Sequence, residues 1–488
     1  MEPARGNRPR RSQALHGEPL ADGGGRILRR TILVAAVALL AASSSGAAPL
    51  PDTPLLSGNL TLLGTIPETG AIGGQIRVVE TLYGPRQYFV LTTVRGVSVY
   101  DLLMPEAPVL VGHLPLPHWE NEDVNFGDDT LIISQDPQWF FASIYGQPEL
   151  AGGLYLIDIS NLPALSFAYV NPATGNRWTA PVGNYSGHTT TCTDASCDYA
   201  YVNGTSSVTI ADLRDPSDPR VAGQFSSGVG STHDAQVDEA GILWMVGSGG
   251  IVGYDVSNPV LPWRVSTTFG PLNYHHNSWR PRADEWTPRA PGDGDPTVRP
   301  GELALITEEE FYPPPLGPQT LCQNQGRFGT YWIRDTDALA AGTALASIEQ
   351  LDVWQTEAAV LGYTPTAPAC SAHYLDERDG IVAIAWYEQG LRLLDVSDPR
   401  DIRQIGYYIG PATVAWNVRW AGEGALGGEI LYTIDGTRGV DILRFERPPD
   451  APTVTAPMLE QWFAPRPFDL DAIAPHPVWG YACRLPTL

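Results

Sequence analysis

The amino-acid sequence specifies an all-β protein: a single seven-bladed β-propeller of four-stranded antiparallel blades, with the last blade closed by the N-terminal strand. A recurring strand motif, the spacing of its copies, and a strand pattern displaced to the opposite end of the chain lead to that reading. The motif is Gly or another small residue, four residues of β type, then Asp. It occurs as Gly96-Val-Ser-Val-Tyr-Asp101, Gly153-Leu-Tyr-Leu-Ile-Asp158, Ser207-Val-Thr-Ile-Ala-Asp212 and Gly250-Ile-Val-Gly-Tyr-Asp255. It continues as Thr330-Tyr-Trp-Ile-Arg-Asp335 and Gly390-Leu-Arg-Leu-Leu-Asp395, and ends as Gly439-Val-Asp-Ile-Leu-Arg444, where Arg replaces Asp.

The copies begin 43 to 80 residues apart, a period that suits four-stranded blades better than helical solenoid units. Several run into Asp-Pro or Asn-Pro, as at Asp255-Val-Ser-Asn-Pro259 and Asp395-Val-Ser-Asp-Pro399. Pro fixes φ and Asp or Asn caps the turn, so the chain leaves its strand there. A fourth strand with an internal Gly follows, as in Val109-Leu-Val-Gly-His113, Arg220-Val-Ala-Gly-Gln224 and Arg403-Gln-Ile-Gly-Tyr407. The seventh unit has none, because Phe445 leads directly to Pro448-Pro449. The missing pattern is Asn59-Leu-Thr-Leu-Leu-Gly-Thr-Ile-Pro67, ahead of the first unit. An N-terminal strand that completes the last blade removes both open sheet edges.

The propeller is assigned to residues 58–447, an export signal with a long basic leader to 1–48, and a Pro- and aromatic-rich tail packing on the propeller to 448–488. In the leader, Arg26, Arg29 and Arg30 precede an apolar run, Thr31 to Ala42, and small residues follow to Ala48. The run of about 12 residues is too short for a bilayer core that needs ~20. No later stretch is long enough, so no transmembrane segment is expected after signal removal. Arg29-Arg30 resembles a twin-arginine signal, and an ordinary Sec signal fits equally. The protein is therefore expected outside the cell or in its envelope.

All 30 basic residues are Arg, and 54 acidic residues bring the net charge to -24. Seven Arg lie in the first 30 residues, so the rest carries 23 Arg against 51 acids. Such a body repels phosphate backbones, which excludes nucleic acid as a partner. Cys192 and Cys197 bracket a turn-like Thr-Asp-Ala-Ser between two strand patterns, where a cross-strand disulfide is expected. Cys322, Cys370 and Cys483 leave one thiol over, and the sequence does not decide which.

These repeats resemble the LVIVD-repeat family of bacterial secreted and surface β-propellers, through strands such as Leu-Tyr-Leu-Ile-Asp158 and Leu-Arg-Leu-Leu-Asp395. The resemblance covers residues 58–447. It implies the fold and a secreted or surface setting, and it leaves the activity open.

Histidines recur in register with the motif. His233 lies 17 residues before Gly250 and His373 lies 17 before Gly390. His188 lies 19 before Ser207, with the extra two residues absorbed by the Cys192–Cys197 hairpin, and His275-His276 opens the matching segment of the fifth unit. Four consecutive blades thus place a His at the start of the innermost strand, which lines the channel near one mouth. Crowded imidazoles cannot all be protonated, and neutral ones offer lone pairs to Fe, Cu or Zn. The expected metal ligands are His188, His233, His276 and His373. The competing reading is a ring of structural, water-linked His.

Glu308, within Glu308 to Glu310, and Glu388 of Tyr-Glu-Gln-Gly390 fall where a carboxylate could hold the outer N–H of a ligating imidazole. Glu120, Glu122 and Asp123 enter the second blade at the equivalent place. The four His resemble the four-His iron site of carotenoid-cleaving oxygenases and the His-lined metal site of selenium-binding-protein-type methanethiol oxidases. That resemblance implies redox chemistry. No Gly-x-Ser-x-Gly elbow or Lys-bearing phosphate loop is present.

The functional expectation is an exported propeller that binds a small molecule or surface partner at one channel mouth, with an axial transition metal. A metal-dependent oxidoreductase and a purely structural surface protein are the alternatives, and catalytic residues are not assigned. An unperturbed imidazole would make metal binding weaken as pH falls through ~6.5.

Overall fold

The computed structural model describes residues 53–116, 123–135, 153–179, 187–270, 274–309, 326–357 and 371–447, apart from a few positions within them. The leader 1–48, the tail 448–488, and Cys322, Cys370 and Cys483 lie outside the described residues.

Seven antiparallel sheets follow one another along the chain, and in each the repeated motif forms the third strand from the axis. The first blade runs Gly73–Thr81, Gly84–Thr93, Gly96–Asp101 and Val109–Leu114. The sixth runs Leu375–Arg378, Ile381–Ala385, Leu391–Asp395 and Arg403–Ile409. Second and third strands are buried on both faces, as in Ile242–Gly247 and Gly96–Asp101, which is why they read as unbroken β-type runs. Outermost strands are mostly exposed, as Val109–Leu114 shows.

The motif's two fixed residues have separate physical jobs. Its Asp closes the exit turn: Asp101, Asp158, Asp212, Asp255 and Asp395 each accept the backbone N–H two residues on, at 2.8 to 3.3 Å. At Gly96, Gly250, Gly390 and Gly439 its Gly enters the strand in a left-handed conformation. At Gly439, φ is 108°, and a Cβ would lie 2.0 Å from the carbonyl oxygen of Ile66.

Ring closure follows the pattern expected. Leu60–Ile66 pairs antiparallel with Gly439–Phe445 and becomes the fourth strand of the seventh blade. Thr65 donates a 2.7 Å hydrogen bond to buried Asp441, and Tyr408 of the sixth blade donates another at 2.9 Å. A short addition was not anticipated: Leu55–Leu56 pairs with Ile409 and Tyr408, giving the sixth blade a fifth strand. Among the described residues, seven apolar clusters each join two adjacent blades. One of them joins Ile430, Tyr432 and Val440 of the last blade to Phe89, Leu91 and Tyr100 of the first. An open row of seven blades would have only six such contacts, so the seventh cluster closes the circle.

Cys192 and Cys197 form a disulfide across the hairpin tip of the third blade. The loop it closes is small, with a sequence separation of 5. Restricting so short a loop stabilises by only about 2 kcal/mol in the chain-entropy account. Replacing both Cys with Ser is therefore expected to lower the melting temperature by a few degrees, read by calorimetry, with the fold retained.

Candidate metal centre at the axial histidines

The innermost strands of the third to sixth blades carry the His series. His233 is the second residue of Thr232–Val237, His275 and His276 lie in Tyr274–Trp279, and His188 and His373 stand two residues ahead of Thr190–Cys192 and Leu375–Arg378. The strands do not pair regularly at these points. Register slips between Thr232 and Ala235, between His275 and Asn277, and in the seventh blade between Ala415 and Asn417. Each slip is a bulge, and a bulge re-aims the side chain it carries. In the fifth blade it separates the two neighbours. His275 stays opposite Glu308, with Nε2 3.5 Å from the Tyr331 hydroxyl, while His276 turns toward the other His.

The result is a chain of rings passing from blade to blade. Ring centroids are 4.3 Å apart for His188–His233, 3.7 Å for His233–His276 and 4.0 Å for His276–His373. His373 then meets Trp416 of the seventh blade at 5.1 Å. His188 is 3% exposed and the other three are wholly buried. Burial, reinforced by neighbouring imidazoles, holds His233 and His276 well below the usual imidazole range. Burial lowers His373 to about 3 and His275 to about 4.

Tautomers follow from partners. The Trp416 carbonyl accepts from Nδ1 of His373 at 2.6 Å, which leaves Nε2 with its lone pair. Nε2 of His188 and Nε2 of His233 lie 2.7 Å apart, a hydrogen bond in which one neutral ring donates to the other. Two ligands with ~2.1 Å bonds at right angles to one ion lie ~3 Å apart, close to that spacing. Both ring nitrogens of His276 are buried and lack a hydrogen-bond partner. The compact donor set is His233, His276 and Glu309, whose ligand atoms all lie within 4.8 Å of one another.

Of the nominated carboxylates, Glu308 stays beside His275 rather than His276. Glu308 accepts two hydrogen bonds from Arg327, at 2.7 and 2.9 Å, and lies 3.9 Å from His275 Nε2. Glu388 is half-buried on the turn between the second and third strands of the sixth blade. Asp123 accepts the backbone N–H of Thr190 at 2.5 Å and ties the second blade to the third, while Glu120 and Glu122 lie outside the described residues. Glu309 instead reaches the ring, with Oε2 3.8 Å from His276 Nε2. Its other oxygen accepts from the Tyr387 hydroxyl at 2.5 Å. The sequence held a clue: adjacent residues of a strand point to opposite faces, so Glu308 and Glu309 cannot both face the axis. Tyr387 and Trp416, 5.3 Å apart, form an aromatic wall that sequence reasoning missed.

The pH window expected from an unperturbed imidazole therefore moves down. Protons compete with a metal only near the folded-state values, so affinity is expected to stay level as pH falls through 6.5, where an ordinary imidazole would already lose the ion, read by calorimetric titration. Metal-free stability behaves differently. Unfolded His binds a proton near 6.5 and these folded His do not, so each contributes stability present above 6.5 that is lost as pH falls toward 4. The slope is about 1.4 kcal/mol per pH unit per His. Glu377, pushed up to about 7 by burial, takes up a proton on folding over the same range and offsets one of them.

Among the described residues no helix is long and apolar enough to cross a membrane. Comparison with protein-family descriptions and with curated proteins finds no match. Solved structures similar to this chain include a chain of the Kuenenia stuttgartiensis hydrazine synthase, at 11% identity and a TM-score of 0.46, covering 80% of this chain and 100% of that one. A functionally unknown protein from Desulfotomaculum acetoxidans matches at 10% identity and 0.44, covering 70% and 86%. The periplasmic gluconolactonase of Pseudomonas aeruginosa matches at 8% and 0.44, covering 68% and 85%.

Proposed function

We propose that this chain is an exported propeller of the LVIVD-repeat kind that binds a small molecule or surface partner at its His-bearing mouth, with a transition-metal ion among His188, His233, His276 and His373. The observation that carries this reading is His276, a wholly buried imidazole with neither nitrogen hydrogen-bonded, beside three other buried His. Leaving a buried polar atom unpaired costs about 1–3 kcal/mol, and a metal ion that takes its lone pair removes that cost. The mixed His and Glu donor set supports the oxidoreductase alternative, because such sets leave coordination positions open. Export rests on the Arg-bearing leader and its apolar run, and the Cys192–Cys197 disulfide is compatible with it.

Elemental analysis of protein recovered through its native export route tests the reading. About one equivalent of a single transition metal is expected, and less than about a tenth would leave the structural alternative.

A further inference from the structure

We propose that Glu309 is itself a ligand of that ion, that Tyr387 is the residue that positions it, and that the site takes a borderline divalent cation, Fe(II), Co(II) or Zn(II), in preference to Cu(I). This rests on the metal reading above and adds to it the donor that the His register does not contain.

Distance supports the assignment. Glu309 Oε2 and His276 Nε2 are 3.8 Å apart, and two ligands with bonds of ~2.0–2.1 Å lie between ~3 and ~4 Å apart on one ion, according to the angle. His233 completes a two-imidazole, one-carboxylate set within 4.8 Å, with His188 Nε2 2.7 Å from His233 Nε2 and the His373 ring tilted against His276 at 4.0 Å. Glu308, the neighbouring carboxylate, is engaged by Arg327 on the opposite face of the strand, so the two acids have separate roles. Four neutral imidazoles would leave both charges of a divalent ion uncompensated among buried side chains, and one carboxylate halves that excess. Hard oxygen with imidazole nitrogen suits a divalent ion, whereas Cu(I) favours thiolate and thioether sulfur.

Tyr387 carries the second part. Its φ is 34°, a left-handed conformation that a bulky aromatic residue rarely adopts. The backbone is held there because its carbonyl accepts from the N–H of Gly390 at 3.1 Å and of Ala415 at 2.9 Å. The ring is clamped between His373, at 4.8 Å, and Trp416, at 5.3 Å. Backbone strain held by four neighbours places one hydroxyl on one carboxylate oxygen and leaves the other turned toward His276.

The test is titration of metal-free protein with Co(II), Zn(II) and Cu(I), following the Co(II) ligand-field absorption, for wild type, Glu309→Gln, Glu309→Asp, Tyr387→Phe and His276→Ala. Glu309→Gln should lower Co(II) and Zn(II) affinity about a hundredfold, leave Cu(I) affinity within a factor of a few, and shift the Co(II) spectrum, with Glu309→Asp intermediate. Tyr387→Phe should cost about tenfold and alter the Co(II) spectrum at an unchanged melting temperature, which a packing role would not do. If Glu309→Gln keeps wild-type affinity and spectrum while His276→Ala loses the metal, this inference fails and the His reading stands. If His276→Ala also binds as wild type, both fail.

Discussion

Substituting Ala for His276 or His233 is expected to lower affinity for Zn(II) or Co(II) about a hundredfold, roughly one ligand's share of a buried site's binding free energy. His188→Ala and His373→Ala should cost about tenfold, because neither belongs to the compact set: His188 meets it through His233, and the His373 ring lies tilted against His276 at 4.0 Å. The series is graded where repeat symmetry alone would make it uniform. Donors to one ion also act as a unit, so His233→Ala added to His276→Ala should cost much less than it does alone. His113 is the control: it lies in an outermost strand, with Nδ1 3.2 Å from the Ser98 hydroxyl, and its replacement should leave the titration unchanged. Five indistinguishable titrations would reduce the shared register to a trace of repeat duplication, and the structural reading would replace the metal one.

The architecture was legible because the motif encodes backbone conformation as well as hydrophobicity. Its Gly marks a left-handed entry against a neighbouring carbonyl, and its Asp marks an exit turn that it caps itself. Copies of that pair therefore report strand ends, and a missing fourth strand becomes visible as an absence. The His register was legible for the same reason, since the 17 residues from His233 to Gly250 and from His373 to Gly390 count out an inner strand, a second strand and the turn after each.

What stayed hidden is set by one-residue events. A bulge between His275 and Asn277 decides which of two adjacent His meets the ring, and pleat parity decides between Glu308 and Glu309. The Tyr387 conformation depends on contacts from another blade, through the Ala415 N–H, which no local pattern announces. Leu55–Leu56 is too short to show any alternation.

A chain beginning at Glu68 is expected to lose the native ring and aggregate, whereas one beginning at Pro49 should melt as the full chain does. Residues before 68 supply Leu60–Ile66, the whole outer edge of the seventh blade, and its removal exposes the N–H and C=O groups of Gly439–Phe445 for pairing with another chain. The loss is also apolar. Leu60 is 4% exposed and, with Leu62, packs against Leu443 and Phe445, while Ile66 packs with Val440 and Ile442. At about 1.5–3 kcal/mol for full burial of one such side chain, buried Leu60 together with half-buried Leu62 and Ile66 is a substantial part of a typical stability of 5–15 kcal/mol. Asp441, wholly buried, would lose the Thr65 hydroxyl, though it keeps Arg438 and Tyr408. Thr65→Val isolates that contact within an otherwise intact strand. It should cost about 1–3 kcal/mol, the cost of removing one hydrogen bond from a buried carboxylate, without aggregation. Light scattering and thermal melts of the three chains decide the matter. A monomeric chain beginning at Glu68 with an unchanged melting curve would mean that seven blades hold together without the N-terminal strand, and the closure argument would fall.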